Sequence, residues 1–329
     1  MNALATSLQI YFTTFAHTQR DLSANTITSY RDTWRMLLKY LSMTLRIRAD
    51  ALDFDVVTAP NVTGFLDHLE QDRGNSAKTR NTRLTAIRAV LGRALPDHPE
   101  HAGTIVQVLA IPPRRTTRPL VEFLTPVETD ALLAAPDQQT WTGRRDHALL
   151  ALTIQTGLRI SEICSLTFDD INLGTGAHIA CTGKGRRQRI TPLTKSTVTT
   201  MNSYLTERGN HPGTALFCGP HGLPISRDAL EHRLAKHLIA AKTTCPSLAA
   251  KHVTMHTLRH TTAMNLLIAG VDVAVIALWL GHSDTHSTDA YLHADMAMKQ
   301  AAIDRTRPPG VTAGTYQPEP DILAWLTSL

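Results

Sequence analysis

A chain of 329 residues, 43% of them hydrophobic, exceeds one average domain and can bury real cores, so two domains are the natural expectation. Its net charge of +5 leans toward anionic partners such as nucleic acid. Four cysteines with no C-x-x-C pair argue against a cysteine-built zinc site and a disulfide framework, and no apolar run reaches membrane-spanning length. MNALATSLQIYFTTF lacks the basic start and cleavage site of a signal peptide, so a soluble, cytoplasmic protein is expected.

The first third reads as helices. Leu8, Tyr11, Phe12 and Phe15 follow helical spacing, as do Tyr30, Trp34, Leu37, Leu38 and Leu41. A third helix carries Phe65, Leu66 and Leu69 and opens at Thr58 with Pro60 close behind. The fourth, about 76–94, shows Leu84, Ile87 and Leu91 on one face. From Gln71 to Arg93 its neighbourhood holds Arg73, Lys78, Arg80, Arg83, Arg88 and Arg93 against one acid, Asp72. A solvated helix more often alternates signs to gain i,i+4 pairs, so charge of one sign suggests a phosphate-facing surface, with an ordinary basic face as the plainer reading.

After a helix ending near Leu109 comes IPPRRTTRPL. Proline restricts itself and its predecessor, so 111–121 reads as an extended linker between a domain at 1–110 and another at 122–306. Arg114, Arg115 and Arg118 would let that linker run along a phosphate backbone. The second domain opens on a capping box, Thr125-Pro126-Val127-Glu128, with proline at the first helical position. ALLALTIQTG is a buried helix ending at Gly157, followed by Leu158-Arg159-Ile160 and a short helix from Ser161. AHIACTGKGRRQRITPL alternates and breaks at Gly183-Lys184-Gly185, the pattern of a β-hairpin with basic residues at and after its turn. Helices resume at 195–208 and 226–242. The tail, 307–329, is separate in kind: RPPGVTAGTYQPEP cannot be helical, and DILAWLTSL closes with a small apolar face.

The stretch from His256 to Tyr291 carries the chemistry. It reads H-T-L-R-H, then L-G-H, then Y-L-H, with apolar runs between that should hold the polar groups on packed helices. Arginine forks match phosphate oxygens, histidine moves protons near neutral pH, and tyrosine offers an oxygen nucleophile. Any one of these residues alone would more plainly be a surface or core side chain. His252, His256 and His260 fall four apart and imitate a metal site, but there is no H-E-x-x-H and no carboxylate nearby, so no metal is expected. Cys164 and Cys181 read as core fillers.

Taken together, T-G-L-R-I-S-E around Arg159, the hairpin Lys184, H-x-x-R at His256 and Arg259, L-G-H at His282 and Tyr291 nine residues later resemble the tyrosine recombinases of the phage-integrase family. The layout is similar to Xer-like and transposon- or plasmid-borne integrases. The resemblance implies a mainly α fold with a small antiparallel sheet in the C-terminal domain, and a helical, SAM-like core-binding domain ahead of it. It further implies a C-shaped clamp on double-stranded DNA bearing an inverted-repeat core site. The assembly would be a homo-tetramer, or a mixed tetramer with a related recombinase, with no membrane and no cofactor.

By the same resemblance Tyr291 attacks the scissile phosphate, Arg159 and Arg259 clamp its oxygens, and His282 adds a hydrogen bond. Lys184 protonates the leaving oxygen, with Arg186, Arg187 and Arg189 as rival basic residues. His256 takes part in proton transfer, and Glu162 orients Arg159 or His256 from behind. Lys78, Arg80, Arg83, Arg88, Arg114, Arg115, Arg118, Arg186 and Arg187 are the expected DNA contacts. His286 and Asp289 depart from the usual segment before the nucleophile, and Asp289 puts negative charge near a DNA-facing tyrosine. Two other readings stand beside this one: a DNA-binding accessory subunit with little activity of its own, and a relaxing enzyme of the type IB topoisomerase kind.

Overall fold

The computed structural model describes residues 2–116, 121–183, 188–209, 212–219 and 221–281. They belong to two compact units, 1–118 and 119–329, each with its own core.

The first unit is helical throughout: α1 (Ala3–Ile10), α2 (Ala24–Leu45), α3 (Ala59–Gln71), α4 (Ala77–Ala94) and α5 (Ala102–Leu109). Local chemistry sets their starts. Ser23, Thr58 and Ser76 each accept a hydrogen bond from a backbone N–H three residues on, satisfying one of the orphan donors of a helix start. The 3.6-residue stripes then meet in one core: Trp34, Leu37 and Leu41 of α2 against Phe65, Leu66 and Leu69 of α3 and Leu84, Ile87 and Leu91 of α4. Each such side chain contributes roughly 1.5–3 kcal/mol of transfer free energy when fully buried. The Trp34 indole donates to the Ala86 carbonyl at 3.3 Å, so even the polar edge of the largest core residue is satisfied.

The spacing of Tyr11, Phe12 and Phe15 predicts an ordinary helix; instead Tyr11–Gln19 winds as a wider π-helix, and Arg20 donates back five residues to the Phe15 carbonyl. Tyr11 goes into the core from this widened turn, with the Phe12 and Phe15 rings 5.3 and 5.4 Å away.

The second unit is built around α7 (Trp141–Thr156), which buries residues on every side and ends on Gly157. Packed near it are α6 (Pro126–Ala134), α8 (Ile160–Ser165), α9 (Lys195–Arg208), α10 (Arg227–Thr244), α11 (Met255–Ile268) and α12 (Val273–Leu280). The capping box at Thr125 and Glu128 is present in both directions. Glu128 also accepts from Lys251 Nζ at 2.6 Å and Ser247 at 2.7 Å, tying the entrance of α6 to the segment before α11. Thr262 of α11 donates to the Ile154 carbonyl of α7 at 2.7 Å.

The hairpin strands are β2 (His178–Thr182) and β3 (Gln188–Pro192), joined by a two-residue strand β1 (Ile171–Asn172) in an antiparallel sheet of order β1-β2-β3. β1 is too short for an alternation pattern to reveal. The register pairs Cys181 with Arg189 and Ile179 with Thr191. Because strand side chains alternate, these four face inward while Ile190 points out, 67% exposed.

Candidate active site

The site begins where α7 stops. Gly157 ends that helix, and the chain turns through Leu158 into Arg159, which caps α8. Glu162, one turn into α8, reaches back to accept from the Arg159 backbone N–H at 2.7 Å and from its guanidinium at 2.9 Å. The L-R-I-S-E run therefore folds into a loop that fixes its own arginine. The other terminal nitrogen of Arg159 donates to the Gly281 carbonyl at 2.9 Å. With 32% of its side chain exposed, Arg159 still has N–H groups that no described residue takes.

Arg259 approaches from α11. It is buried and donates to the Gly157 carbonyl and the Leu280 carbonyl, both at 2.6 Å. The two guanidiniums thus hold consecutive carbonyls at the C-terminal end of α12, where the helix dipole is negative and cations are favoured. Gly281 closes that helix with φ 65°, a left-handed conformation that suits glycine, immediately before His282.

His256 lies in the first turn of α11 and is exposed, its ring edge-to-face with His260 at 4.2 Å. His252 precedes the helix, so the three histidines do not share one helical face. Among the described residues no group of three or more His, Cys, Asp or Glu is placed to hold a metal ion.

Glu162 is almost fully buried. Burial pushes its carboxyl up, but the Arg189 guanidinium, the Arg159 N–H and the Arg159 guanidinium outweigh this and hold it below the ordinary range. Arg189 has a partner that spacing along the chain did not indicate. It stood as a rival to Lys184 on the hairpin, yet it lies on the inward face of β3 and grips both Glu162 oxygens, at 2.9 and 2.7 Å. A signal was available: two residues before Thr191, it shares that residue's face of the strand. Cys181, paired opposite it, is an inert thiol whose pKa burial pushes up to about 11.

Lys184, Arg186, Arg187, Arg118, His282 and Tyr291 lie outside the described residues. Of the other expected DNA contacts, Lys78 and Arg115 are exposed. Arg80 is a correction: it is 3% exposed and turned inward, near Asp67 and Glu70 of α3 at 3.6 and 3.5 Å. The acids beside Arg80 come from the neighbouring helix, which a count along one helix cannot reveal. Arg83 donates to Ser29 and Thr33, and Arg88 to the Ile111 carbonyl. Arg114 is exposed but also reaches Asp67 and Glu70, at 3.4 and 3.5 Å.

Residues 122–298 match the model of the phage integrase family, and residues 11–95 match its N-terminal SAM-like domain. The chain belongs to the phage integrase family. It is a tyrosine-type site-specific recombinase, an enzyme that cleaves and rejoins DNA. This family member is 47% identical to a protein named integrase/recombinase y4rC from Sinorhizobium fredii, across 99% of this chain and 98% of that one. It is 31% identical to tyrosine recombinase XerD of Staphylococcus saprophyticus, across 89% and 96%. In fold the integrase is similar to the Tn1549 transposon integrase in complex with transposon right end DNA, with TM-score 0.69, 19% identity and coverage of 93% and 99%. A similar likeness, with TM-score 0.68, 19% identity and coverage of 88% and 82%, holds for XerH bound to palindromic difH substrate. Among the described residues no helix is long and apolar enough to cross a membrane.

Proposed function

We propose that this recombinase exchanges strands at an inverted-repeat core site through Tyr291, with Arg159, Arg259, His256, His282 and Lys184 acting on the same phosphate. The observation that carries the reading is the meeting of Arg159 and Arg259 at the Leu280–Gly281 end of α12, one residue before His282.

In this reading the Tyr291 oxygen attacks phosphorus, a 3′-phosphotyrosine forms, and the bond to the 5′-oxygen breaks. A phenol has an ordinary pKa of about 10, so it needs surroundings that favour loss of its proton. Two permanently charged guanidiniums beside the phosphate neutralise the charge that builds in the transition state. Lys184 gives its proton to the departing 5′-oxygen. Attack by a 5′-hydroxyl from the partner strand reverses each step and reseals the backbone, and the phosphotyrosine bond conserves the energy for it. Four protomers acting on two sites, each lending a C-terminal segment to its neighbour, complete the proposal; 296–303 and 322–329, which lie outside the described residues, are the candidate segments.

The test is a nicked suicide duplex taken from the ends of the DNA element that encodes the protein, incubated without metal with wild type and Tyr291→Phe. A covalent adduct from wild type alone establishes the nucleophile. Salt-sensitive binding with no adduct would instead favour an accessory DNA-binding subunit. Relaxation of any supercoiled plasmid would favour a topoisomerase-like activity.

A further inference from the structure

We infer that Arg189 is a positioning residue for this reaction: by occupying both oxygens of Glu162 it keeps Arg159 extended and its charge available to the phosphate. The inference rests on the strand-exchange reading above.

Three charges share one small volume. The Glu162 side chain is 3% exposed, Arg189 9% and Arg159 32%. Arg189 meets the carboxylate as a fork, one nitrogen on each oxygen, at 2.9 and 2.7 Å. That fork-to-fork geometry is the one Arg159 would otherwise adopt with a carboxylate only three residues away on its own loop. With both oxygens taken, Arg159 makes a single side-chain bond to Glu162 and sends its other terminal nitrogen to the Gly281 carbonyl. The sum over the three groups is one positive charge, and its most exposed part is Arg159. Without Arg189, Glu162 and Arg159 would close into a neutral pair, and the phosphate would lose most of the attraction.

The same guanidinium lies against two glycines that precede expected catalytic residues. A Cβ on Gly281, before His282, would sit 2.9 Å from an Arg189 nitrogen and 3.1 Å from its Cδ. A Cβ on Gly183, before Lys184, would sit 3.1 Å from Glu162 and 3.3 Å from Arg189. Arg189 therefore touches the approach to the hairpin tip and the approach to His282, and both approaches omit side chains where it packs.

The experiment measures single-turnover adduct formation at saturating protein on the nicked suicide duplex, with binding affinity and melting temperature recorded in parallel. The variants are Arg189→Gln, Glu162→Gln/Arg189→Gln and, as the control, Tyr291→Phe. Losing one effective oxyanion-stabilising group costs on the order of 10²-fold in such sites, so R189Q should cleave about 100-fold more slowly with DNA affinity changed less than about threefold. The double variant removes the carboxylate as well and restores the net charge, so it should recover at least about tenfold over R189Q. A packing role predicts the reverse, since the double variant loses more contacts.

Wild-type rates in R189Q, or a double variant no faster than R189Q, would overturn the assignment. Should R189Q not fold, the double variant decides by itself: cleavage within about tenfold of wild type supports the assignment and its absence overturns it. If wild type gives no Tyr291-dependent adduct, the strand-exchange reading fails and this inference falls with it; an adduct from wild type and R189Q alike sinks this inference alone.

Discussion

At the scale of single residues, backbone freedom and buried charge decide the site. Gly281 has a left-handed φ of 65° and touches Arg189 at the position a Cβ would take. Gly281→Ala therefore meets both backbone strain and a clash, and should cost roughly 1–3 kcal/mol of stability while slowing cleavage through a displaced His282. Thermal melts and adduct formation on one preparation measure the two effects; wild-type behaviour in both would remove Gly281 from the argument. Arg80 makes a contrasting case. It is buried beside Asp67 and Glu70, so Arg80→Ala should destabilise the first unit without changing how binding depends on salt. Lys78→Ala and Arg115→Ala, at exposed positions, should each lower the slope of log affinity against log salt by about 0.9 if each side chain meets a phosphate. An unchanged slope in both would take them off the backbone.

At the scale of elements, two ion-pair joints tie the helices of the second unit together. Asp146 of α7 accepts from Arg145, from Arg233 and from His237 of α10, at 2.5 to 3.0 Å. Its carboxyl is pushed up by burial but held lower overall by His237 and the two arginines. Asp146→Asn strands a buried Arg145 and should cost about 3–5 kcal/mol. At about 2–4 °C per kcal/mol for a unit of this size, calorimetry should show a fall of roughly 10 °C, and a fall of a degree or two would show the network to be well hydrated.

Glu128 sets a second, pH-dependent joint. Burial raises its carboxyl, yet Lys251, the Thr125 backbone N–H and Ser247 bring it down to about 2 from the usual 4.5. A carboxyl depressed in the folded state stabilises it above the unfolded pKa and loses that contribution as pH falls through the folded one. The melting temperature should therefore drop between pH 4.5 and about 2, and Glu128→Gln should shrink that drop while lowering stability at neutral pH. An identical acid profile in the variant would assign the drop to other carboxylates, Asp146 and Glu162 first, since both are also depressed.

For the whole molecule, the net charge of +5 and the arginines of 111–121 bear on the assembly proposed above. Removing 295–329 should abolish cooperative synapsis while sparing weak DNA binding, if the C-terminal segment joins protomers. Recombination at wild-type rate by the truncated chain would refute that. Replacing Arg114, Arg115 and Arg118 together should lower the salt slope; because Arg114 already reaches Asp67 and Glu70, the loss should be less than three phosphate contacts would give.

The sequence by itself determined most of the local structure and the family. Capping residues and prolines marked the starts of α3 and α6, alternation marked the hairpin, and the order of Arg159, Lys184, His256, Arg259, His282 and Tyr291 pointed to the family. These are signals written within a few residues, or in motifs whose spacing the chemistry fixes. Only the tertiary structure decided where charges at long separation meet. Asp67 and Glu70 neutralise an arginine of another helix, and the carboxylate of α8 takes its fork from β3 rather than from its own loop. The carbonyls at the end of α12 are shared by arginines more than 20 and more than 120 residues away. Burial and partner choice are properties of packed surfaces, and no window along the chain contains both sides of such a contact.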